Sequence, residues 1–416
     1  MPEPGPPPEL TPEVREPPSL PLVVELAVTT LEADGRGMGT ALGMTIRVPF
    51  VLPGEVARVR VWRRERGGDA EADLLEVLTP APERRPAACP LYGTCGGCQV
   101  QHLPYRRQVE WKTATVRALL APLGFGERVM DGIGSPRELG YRSKITPHHD
   151  RPRPGQPLPI GFLKVGRRSQ VVDVARCPLA TDAINARLPT FRAEIAEAAL
   201  TRKRGATFLL RDATSGVTTD PDARIVERVG ALELEFFARE FFQNNPFLLP
   251  QLVDAVVGAA VAGGARVLVD TYSGSGLFAL SAAARFATVV GVEVSPGAVA
   301  AAGANAQRNG ITNVRFVVAD AARIFAKLEV PGSDAAVIVD PPRKGCGPEF
   351  LDQLVTFAPR TIVYVSCNPV SLARDLERLL AGGYTVDRVQ PFDMFPQTRH
   401  VESVAVLSRL TVTAAG

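Results

Sequence analysis

The sequence lacks the features that mark secreted and membrane proteins. No uninterrupted apolar run reaches the ~18 residues expected of a membrane span. The proline-rich, acidic N-terminus has neither the basic nor the apolar block of a secretory signal. The net charge of +3 is too small to indicate nucleic-acid binding by itself, although it permits it. We therefore expect a cytoplasmic protein that does not contact a membrane, with a disordered tail over residues 1–21.

Cysteine is also scarce, and six cysteines in a cytoplasmic chain do not indicate a disulfide framework. Cys89, Cys95 and Cys98 form a C-x5-C-x2-C pattern, and Cys177 supplies a fourth thiol. Such thiolates suit a [4Fe-4S] cluster or zinc, and the glycines between Cys95 and Cys98 favour iron-sulphur. A radical enzyme would have C-x3-C-x2-C and an open iron site. Cys346 lies in a polar loop and is given no role.

The 416 residues suffice for two or three domains, and the hydrophobic patterns divide them. Residues 22–80 show alternating apolar positions between Gly and Asp turns, which predict a small antiparallel β-barrel. Residues 81–235 mix short strands with helices near His102–Leu123 and Ala180–Ala199. Residues 236–416 alternate buried strands with helices, which predicts a doubly wound parallel sheet of the α/β class.

Arginines cluster on the third main strand of the predicted barrel or just after it. An oligonucleotide-binding barrel could present such a face, and an ordinary solvated strand face is an equal alternative. These arginines are Arg58, Arg60, Arg63, Arg64 and Arg66.

The ends of the predicted parallel strands carry the chemically informative residues. Ligands of such sheets bind beyond the carboxyl ends of the strands. The predicted strands are Arg266–Asp270, Thr288–Val294, Val314–Asp320, Ala335–Asp340 and Thr361–Cys367. The residues at or next to their ends are Asp270, Glu293, Asp320, Asp340 and Cys367.

The glycine loop Asp270-Thr-Tyr-Ser-Gly-Ser-Gly276, followed by Glu293 at the next strand end, predicts a nucleoside site. Glycines permit close approach, and the acid bonds ribose hydroxyls. The loop alone does not exclude NAD. Asp320, which can reach an adenine amine, and Asp340-Pro341-Pro342 favour S-adenosylmethionine, because this set is usual in methyltransferases.

Cys367 ends an apolar strand and precedes Asn368-Pro369, which begins a helix-like segment. A thiol there faces a ligand cleft, although an inert buried thiol is equally compatible with the spacing alone. We expect the start of the helix to help deprotonate this thiol. Glu402, in Thr398-Arg-His-Val-Glu402, is the candidate base, and a solvated carboxylate is its alternative.

The chain carries six motifs in an order that resembles one enzyme family. They are Cys89-Pro-x4-Cys95-Gly-Gly-Cys98-x2-Gln-His102 with Cys177-Pro, Phe241-Phe-Gln-x-Asn245-Pro, Tyr272-Ser-Gly-x-Gly276, Asp340-Pro-Pro-Arg-Lys-Gly345, Ser366-Cys-Asn-Pro369 with Leu372-Ala-Arg-Asp375, and His400-Val-Glu402. The sequence thereby resembles the RNA uracil-5 methyltransferases, in particular the bacterial branch with an N-terminal TRAM barrel and an iron-sulphur cluster.

The resemblance implies a class I methyltransferase domain over 236–416, a TRAM-like barrel over 22–80 and a cluster domain over 81–235. It implies transfer of a methyl group from S-adenosylmethionine to C5 of a uridine in 23S rRNA, through a covalent adduct between Cys367 and C6 with Glu402 as base. A monomer is expected. The residues expected to contact or frame the cofactor are Gln243, Tyr272, Gly274, Glu293, Asp320 and Asp340.

Several alternatives stay open. The same reaction could act on the T-loop uridine of tRNA, or the chain could be a non-catalytic RNA-binding iron-sulphur protein. An amino-group methyltransferase would carry an aromatic residue where this chain has Arg343, and would not need Cys367. The target uridine must be unstacked to react, and Phe241, Phe242 or Phe395 could stack on it.

Overall fold

The computed structural model describes residues 21–64, 67–153, 155–199, 204–320, 325, 328 and 330–410. Apart from residue 21, the predicted tail lies outside them, as does Arg66. Two compact units are present. Within the described residues, the first comprises 21–32 and Arg36–Pro82, and the second comprises Ala33–Gly35 and the chain from Glu83 onward. Among all the residues that the structure describes, no helix is both long and apolar enough to cross a bilayer.

The first unit is a single six-stranded sheet. Its strands are β1 (Leu22–Ala27), β2 (Thr30–Leu31), β3 (Arg36–Ala41), β4 (Met44–Pro49), β5 (Val56–Arg64) and β6 (Asp69–Thr79). The order is β1-β5-β6-β4-β3-β2, and β3 also approaches β1, since the Thr29 amide donates to the Met38 carbonyl at 2.8 Å. A side chain at Gly39 would meet the Ala27 carbonyl oxygen at 2.1 Å, so this approach requires glycine.

The prediction that this unit is antiparallel is wrong at one pair of strands. β4 and β6 pair in parallel, whereas the other pairs are antiparallel. The alternation on β5 is as expected: Val59 and Val61 are buried, and Arg58 and Arg60 lie on the outer face. Arg58 is not an isolated cation, because it pairs with Glu76 at 2.7 Å. Part of the predicted basic face is therefore neutralised within the unit.

The described residues of the first part of the second unit form two α-helices and three small sheets. Its elements are α1 (Tyr105–Leu120), β7 (Lys144–Ile145), β8 (His148–His149), β9 (Ile160–Lys164), β10 (Arg167–Asp173), α2 (Asp182–Ala199), β11 (Ala206–Thr207), β12 (Leu210–Ala213), β13 (Gly216–Thr218), β14 (Arg224–Val229) and β15 (Leu232–Phe237). The sheet orders are β10-β9-β8-β11, β13-β12-β7 and β14-β15. Ile184, Leu188 and Ile195 of α2 pack on Ile160 and Leu210 to form the core of this part.

The second part is a seven-stranded sheet between helices. Its elements are α3 (Leu249–Ala262), β16 (Val267–Thr271), α4 (Leu277–Ala282), β17 (Thr288–Glu293), α5 (Pro296–Arg308), β18 (Val314–Val318), β19 (Ala335–Val339), α6 (Pro348–Phe357), β20 (Thr361–Ser366), α7 (Pro369–Ala381), β21 (Tyr384–Phe392) and β22 (Glu402–Arg409). The predicted α/β class is confirmed.

The strand order is β18-β17-β16-β19-β20-β22-β21. The first five strands are parallel, as predicted. The predicted parallel arrangement does not extend to β22, which runs antiparallel to both of its neighbours, β20 and β21. β21, which is joined to β20 through α7, runs in the same direction as β20, so β22 is the strand that runs against the other six of this sheet.

Helices cover both faces of this sheet, and successive strand residues point to opposite faces. Leu268 packs in a core with Leu252 and Val256 of α3, whereas the adjacent Val269 packs in a second core with Leu354 of α6. Continuous apolar strands such as Ala335–Val339 are thereby fully buried. The rigid sheet fixes the positions of the residues that follow its strands.

We expect Leu252→Ala to lower the free energy of unfolding by about 2–5 kcal/mol, because it leaves a cavity under the sheet. The matched control is Val294→Ala, whose side chain is 69% exposed and whose loss should change stability by less than about 0.5 kcal/mol. Urea unfolding followed by the fluorescence of the two tryptophans, Trp62 and Trp111, measures both. Equal stability of the two variants would contradict the assigned core.

Candidate active site

Cys367 and Glu402 lie at one edge of the seven-stranded sheet. Cys367 follows the carboxyl end of β20, and Glu402 is the first residue of β22. Because these neighbouring strands are antiparallel, with Ser366 opposite Ser403, the end of one meets the start of the other. The antiparallel strand that the sequence did not predict is therefore what brings Glu402 to the thiol.

The turn after Cys367 is held by hydrogen bonds from its own side chains. Asn368 is the N-cap of α7, and its Oδ1 accepts from the Val370 amide at 3.2 Å. The Asn368 Nδ2 and the Ser371 hydroxyl both donate to the Arg343 carbonyl, at 2.9 and 3.2 Å. The start of α7 and the loop Asp340–Gly345 are thus bonded to each other beside Cys367.

A buried carboxylate holds the other end of this loop. Asp375 of α7 accepts from the Cys346 amide at 2.7 Å and from the Tyr364 hydroxyl at 2.6 Å. Gly345 has φ +77°, and a side chain there would lie 2.5 Å from the Asp375 Oδ2. Cys346 lies in the predicted loop, but it is buried there.

The thiol and two carboxyls form one electrostatic group. Burial and, after it, the nearby Glu402 raise the pKa of Cys367 to about 11, and Arg343 opposes the rise. Burial and Asp340 hold the pKa of Glu402 well above its usual range, again against Arg343. Burial also raises the pKa of Asp340 to about 7. The raised pKa keeps the Cys367 thiol protonated near pH 7, and the expected help from the start of α7 stays a prediction.

The segment that leads to Glu402 is held by α1. The Lys112 ammonium donates to Asp393 at 2.6 Å and to the Phe395 carbonyl at 3.0 Å. Gln108 and Gln397 exchange two hydrogen bonds of 2.9 Å. These contacts connect α1 to the whole β21–β22 connection.

His400, in the same connection, is half-buried. Burial, Arg343 and Arg399 lower its pKa to about 4, so its imidazole is neutral near pH 7. The surroundings of His400 therefore carry positive charge.

The glycine loop after β16 has the backbone of a close-approach site. Tyr272, Gly274 and Gly276 have φ of +61°, +52° and +96°, and such a φ costs a non-glycine residue about 1–3 kcal/mol. The Tyr272 ring is held edge-on by Phe350, with centroids 5.6 Å apart. Nothing lies within 4 Å of a side chain built at Gly274, so space is open beside this residue.

Glu293 faces this loop from the end of β17. Its two carboxylate oxygens accept from the Gly274 and Ser295 amides at 3.1 and 3.0 Å. Asp320 is exposed two residues beyond β18, and its charge contributes to the raised pKa of Tyr272, after burial and Cys346. Residues 321–324 lie outside the described part of the chain. Tyr272, Gly274, Glu293 and Asp320 thus lie around one loop.

Buried polar atoms without partners indicate that these elements fit a polar ligand. Gln243 Oε1, Asp270 Oδ1 and Ser273 Oγ have no hydrogen-bond partner among the described residues. Such orphaned atoms are rare in folded proteins, and each needs an explanation. Asp270 accepts from the Ala279 amide with its other oxygen, and its pKa is raised to about 8, chiefly by burial. A nucleoside-containing cofactor has the donors and acceptors that these atoms lack.

The three candidate stacking aromatics differ in exposure. Phe242 is 5% exposed and stacks on Phe236 at 4.6 Å, so it belongs to the core and is excluded as a platform. Phe241 is 76% exposed. Phe395 is half-buried and contacts His400 edge-on at 6.0 Å.

The structure does not support the predicted iron-sulphur site. Among the described residues, no group of three or more His, Cys, Asp or Glu side chains is arranged to hold a metal ion. The thiols do share one neighbourhood, because Cys177, Cys95 and Cys89 add to the effect of burial in raising the pKa of Cys98 to about 12. The Gly96 amide, expected to approach a sulfide, instead donates to the Leu163 carbonyl at 2.9 Å.

Sequence reasoning missed several residues of this site. Arg343 and Asp375 lie inside motifs that were recognised, but neither had been given a role. Lys112 gave no sequence signal, because a single lysine in an amphipathic helix is usually exposed.

A glycine loop and a thiol with two carboxyls at the same sheet edge define an α/β enzyme with a nucleoside-containing cofactor. A family model described as tRNA (Uracil-5-)-methyltransferase matches residues 226–410. The chain is 37% identical over 414 residues to a tRNA (uracil(54)-C(5))-methyltransferase of Schizosaccharomyces pombe, covering 93% of this chain and 78% of that protein. The chain belongs to the RNA uracil-5 methyltransferase family, as its motifs predicted.

Two further similarities span nearly the whole chain. An uncharacterised RNA methyltransferase of Halalkalibacterium halodurans is 31% identical over 446 residues, covering 92% of this chain and 96% of that protein. The structure of the Pyrococcus abyssi tRNA (uracil-54, C5)-methyltransferase in complex with S-adenosyl-L-homocysteine aligns with a TM-score of 0.71 and 26% identity. It covers 92% of this chain and 100% of that one.

The raised pKa predicts that Cys367 reacts slowly with iodoacetamide near pH 8 and faster as the pH approaches about 11. Glu402→Gln should speed the reaction at pH 8, because it removes a group that raises the thiol pKa. Arg343→Gln should slow it, because it removes a group that lowers this pKa. Peptide mass spectrometry of the alkylated protein measures the rate at Cys367. A fast rate that does not change between pH 7 and 10 would refute this description of the thiol.

Proposed function

We propose that this chain methylates C5 of the uridine at position 54 of tRNA, with S-adenosylmethionine as methyl donor. The observation that carries the choice of RNA is the function of the relatives to which the chain is similar. The Schizosaccharomyces pombe relative and a Saccharomyces cerevisiae relative, 32% identical over 469 residues, are both tRNA (uracil(54)-C(5))-methyltransferases. The Pyrococcus abyssi protein acts on the same position.

The 23S rRNA substrate expected from the motifs becomes the second candidate. That expectation depended on the TRAM-like barrel and the iron-sulphur cluster, both features of one branch of the family. The six-stranded unit is compatible with such a barrel, but the structure does not support the cluster. We therefore assign no step to a cluster, and the rRNA reading has less support than the tRNA reading.

The cofactor would occupy the space at the glycine loop. Glu293 would accept hydrogen bonds from ribose hydroxyls, and the Gly274 backbone would approach the ligand closely. Gln243 and Ser273 would find partners for their orphaned atoms, and Asp320 would lie at the exposed end. When bound, S-adenosylmethionine supplies the methyl group from a positively charged sulfonium.

Cys367 would act as the nucleophile because uracil C5 is itself a poor one. Its thiolate adds to C6, and the electrons of the C5–C6 bond move towards the carbonyl oxygen, which makes C5 nucleophilic. C5 then takes the methyl group. Glu402 removes the C5 proton, the C5–C6 double bond forms again, and the Cys367 thiolate leaves by β-elimination.

The local charges suit this sequence of steps. Arg343 favours the ionised forms of both Cys367 and Glu402, which are the forms that attack and accept a proton. Glu402 and Asp340 both have a raised pKa, so positive charge near them promotes their ionisation. The turn bonded by Asn368 and Ser371 keeps Arg343 beside the thiol.

Two substitutions test the covalent scheme. Cys367→Ala should abolish methylation and adduct formation, because no other group attacks C6. Glu402→Gln should accumulate covalent protein–RNA complex, because the C5 proton remains after methyl transfer. Denaturing gel electrophoresis with labelled RNA detects the complex. Full turnover by either variant would be incompatible with the scheme, and Arg315→Gln, an exposed change on β18, is the control.

Tritium release selects the substrate. We expect protein incubated with S-adenosylmethionine to release tritium to water from tRNA transcripts labelled at uracil C5, and not from 23S rRNA transcripts. Changing uridine 54 of the tRNA to cytidine should abolish the release from that site. Release from 23S rRNA alone would favour the second candidate, and release from neither would refute the proposed function.

A further inference from the structure

A cleft beside Cys367 extends away from the proposed cofactor site. Its volume is about 280 Å³, near the lower limit of small-ligand pockets. The described residues that line it are Ala33, Asp34, Trp111, Lys112, Thr115, Leu119, Arg343, Cys367, Asn368, Pro369, Val370, Arg399, His400 and Val401. This set includes Cys367 but neither Glu402 nor Asp340, nor any residue of the glycine loop.

One end of the cleft is formed by the proposed nucleophile, Cys367. A base that reacts must contact Cys367 and the carboxyl groups, and those carboxyl groups do not line the cleft. The α1 residues Trp111, Lys112, Thr115 and Leu119 extend over eight positions, or about 12 Å of helix. The cleft therefore begins at the nucleophile and continues along α1.

The lining combines cations with apolar surface. Arg343 and Arg399 are exposed arginines, and Lys112 is a buried cation already bonded to Asp393. Among the described residues that line the cleft, one is acidic. It is Asp34, in the segment Ala33–Gly35 of the second unit. Guanidinium groups bind phosphate through two hydrogen bonds, and an uncharged ligand would not need them.

The same cleft offers surface to a base. Trp111 lines it and is half-buried. Val370, at the start of α7, is 58% exposed. Aromatic and apolar surface next to arginines is the chemistry with which proteins hold unstacked nucleotides.

We propose that this cleft binds the nucleotide adjacent to the target uridine, with Arg399 on its phosphodiester and Trp111 and Val370 against its base. The inference rests on the proposed function. To present a uracil to Cys367, the enzyme must unstack it, and the chain that continues from the uridine then needs a path away from the thiol. The cleft supplies that path, and holding the neighbour keeps the uridine displaced.

A neutral phosphate tests the contact with Arg399. The probe is a stem-loop RNA containing the target uridine, with one methylphosphonate at the 5′ or the 3′ linkage of that uridine. For the wild-type protein, we expect about a tenfold rise in KM at one of the two linkages, as for loss of one charge-assisted hydrogen bond. Arg399→Gln should raise KM similarly on unmodified RNA and should add nothing when that linkage is already neutral. Its kcat should change less than its KM.

Val370→Glu supplies a second variant with little risk to folding. The side chain is exposed in the first turn of α7, where an acid favours the helix. We expect it to raise KM by about tenfold through repulsion of the phosphate, whereas the matched Val370→Gln, of equal size, should have a smaller effect. Arg315→Gln is the control for loss of a distant arginine.

Several outcomes would overturn the inference. If the fold-increases in KM caused by Arg399→Gln and by the methylphosphonate multiply when the two are combined, at either linkage, then Arg399 does not interact with that phosphate. An unchanged KM in both Arg399→Gln and Val370→Glu would show that the cleft does not bind RNA. These results are distinguishable from failure of the proposed function, because that failure would leave the wild-type protein without tritium release from any RNA.

Discussion

The buried ion pair between Lys112 and Asp393 is the contact on which the geometry of the site depends. Lys112 belongs to α1 and Asp393 to the β21–β22 connection, 281 positions apart, with side chains only 2% and 1% exposed. Removing one partner of such a pair typically costs about 3–5 kcal/mol, because the other charge stays buried. The pair therefore acts mainly as a positional constraint. It fixes the connection that carries His400 and leads to Glu402.

The second constraint is the shortage of positive charge at the reacting groups. Cys367, Asp340 and Glu402 all have a raised pKa, because burial penalises their charged forms and each acid opposes the ionisation of another. Arg343 is the cation that opposes this effect at both Cys367 and Glu402. Cys367, Asp340 and Glu402 therefore keep their protons to a higher pH than such groups usually do. A methyl donor that carries its own positive charge would favour the ionised, reactive forms, so that activation would follow cofactor binding.

Much of this arrangement could be predicted from the sequence, because local patterns specify local structure. The strand ends and the helix that Asn368 begins were predicted to within one or two residues. The antiparallel direction of β22 was not, since periodicity identifies a strand without giving its partner. The pairing of Lys112 with Asp393 and the burial of Cys346 and Phe242 depend on contacts distant in sequence. The cysteine spacing predicted a cluster, but spacing does not determine how the four thiols are oriented.

The position of β22 has a consequence for folding. Within the seven-stranded sheet, β21 pairs only with β22, yet β22 follows it in the chain and lies between it and β20. Insertion of β22 beside β20 is a non-local pairing, because α7, β21 and the β21–β22 connection lie between the two strands in the chain, and non-local pairing slows folding. The same insertion delivers Glu402 to Cys367. The pairing of β20 with β22 that closes the sheet, with Ser366 opposite Ser403, is thus the same contact that places Glu402 beside Cys367.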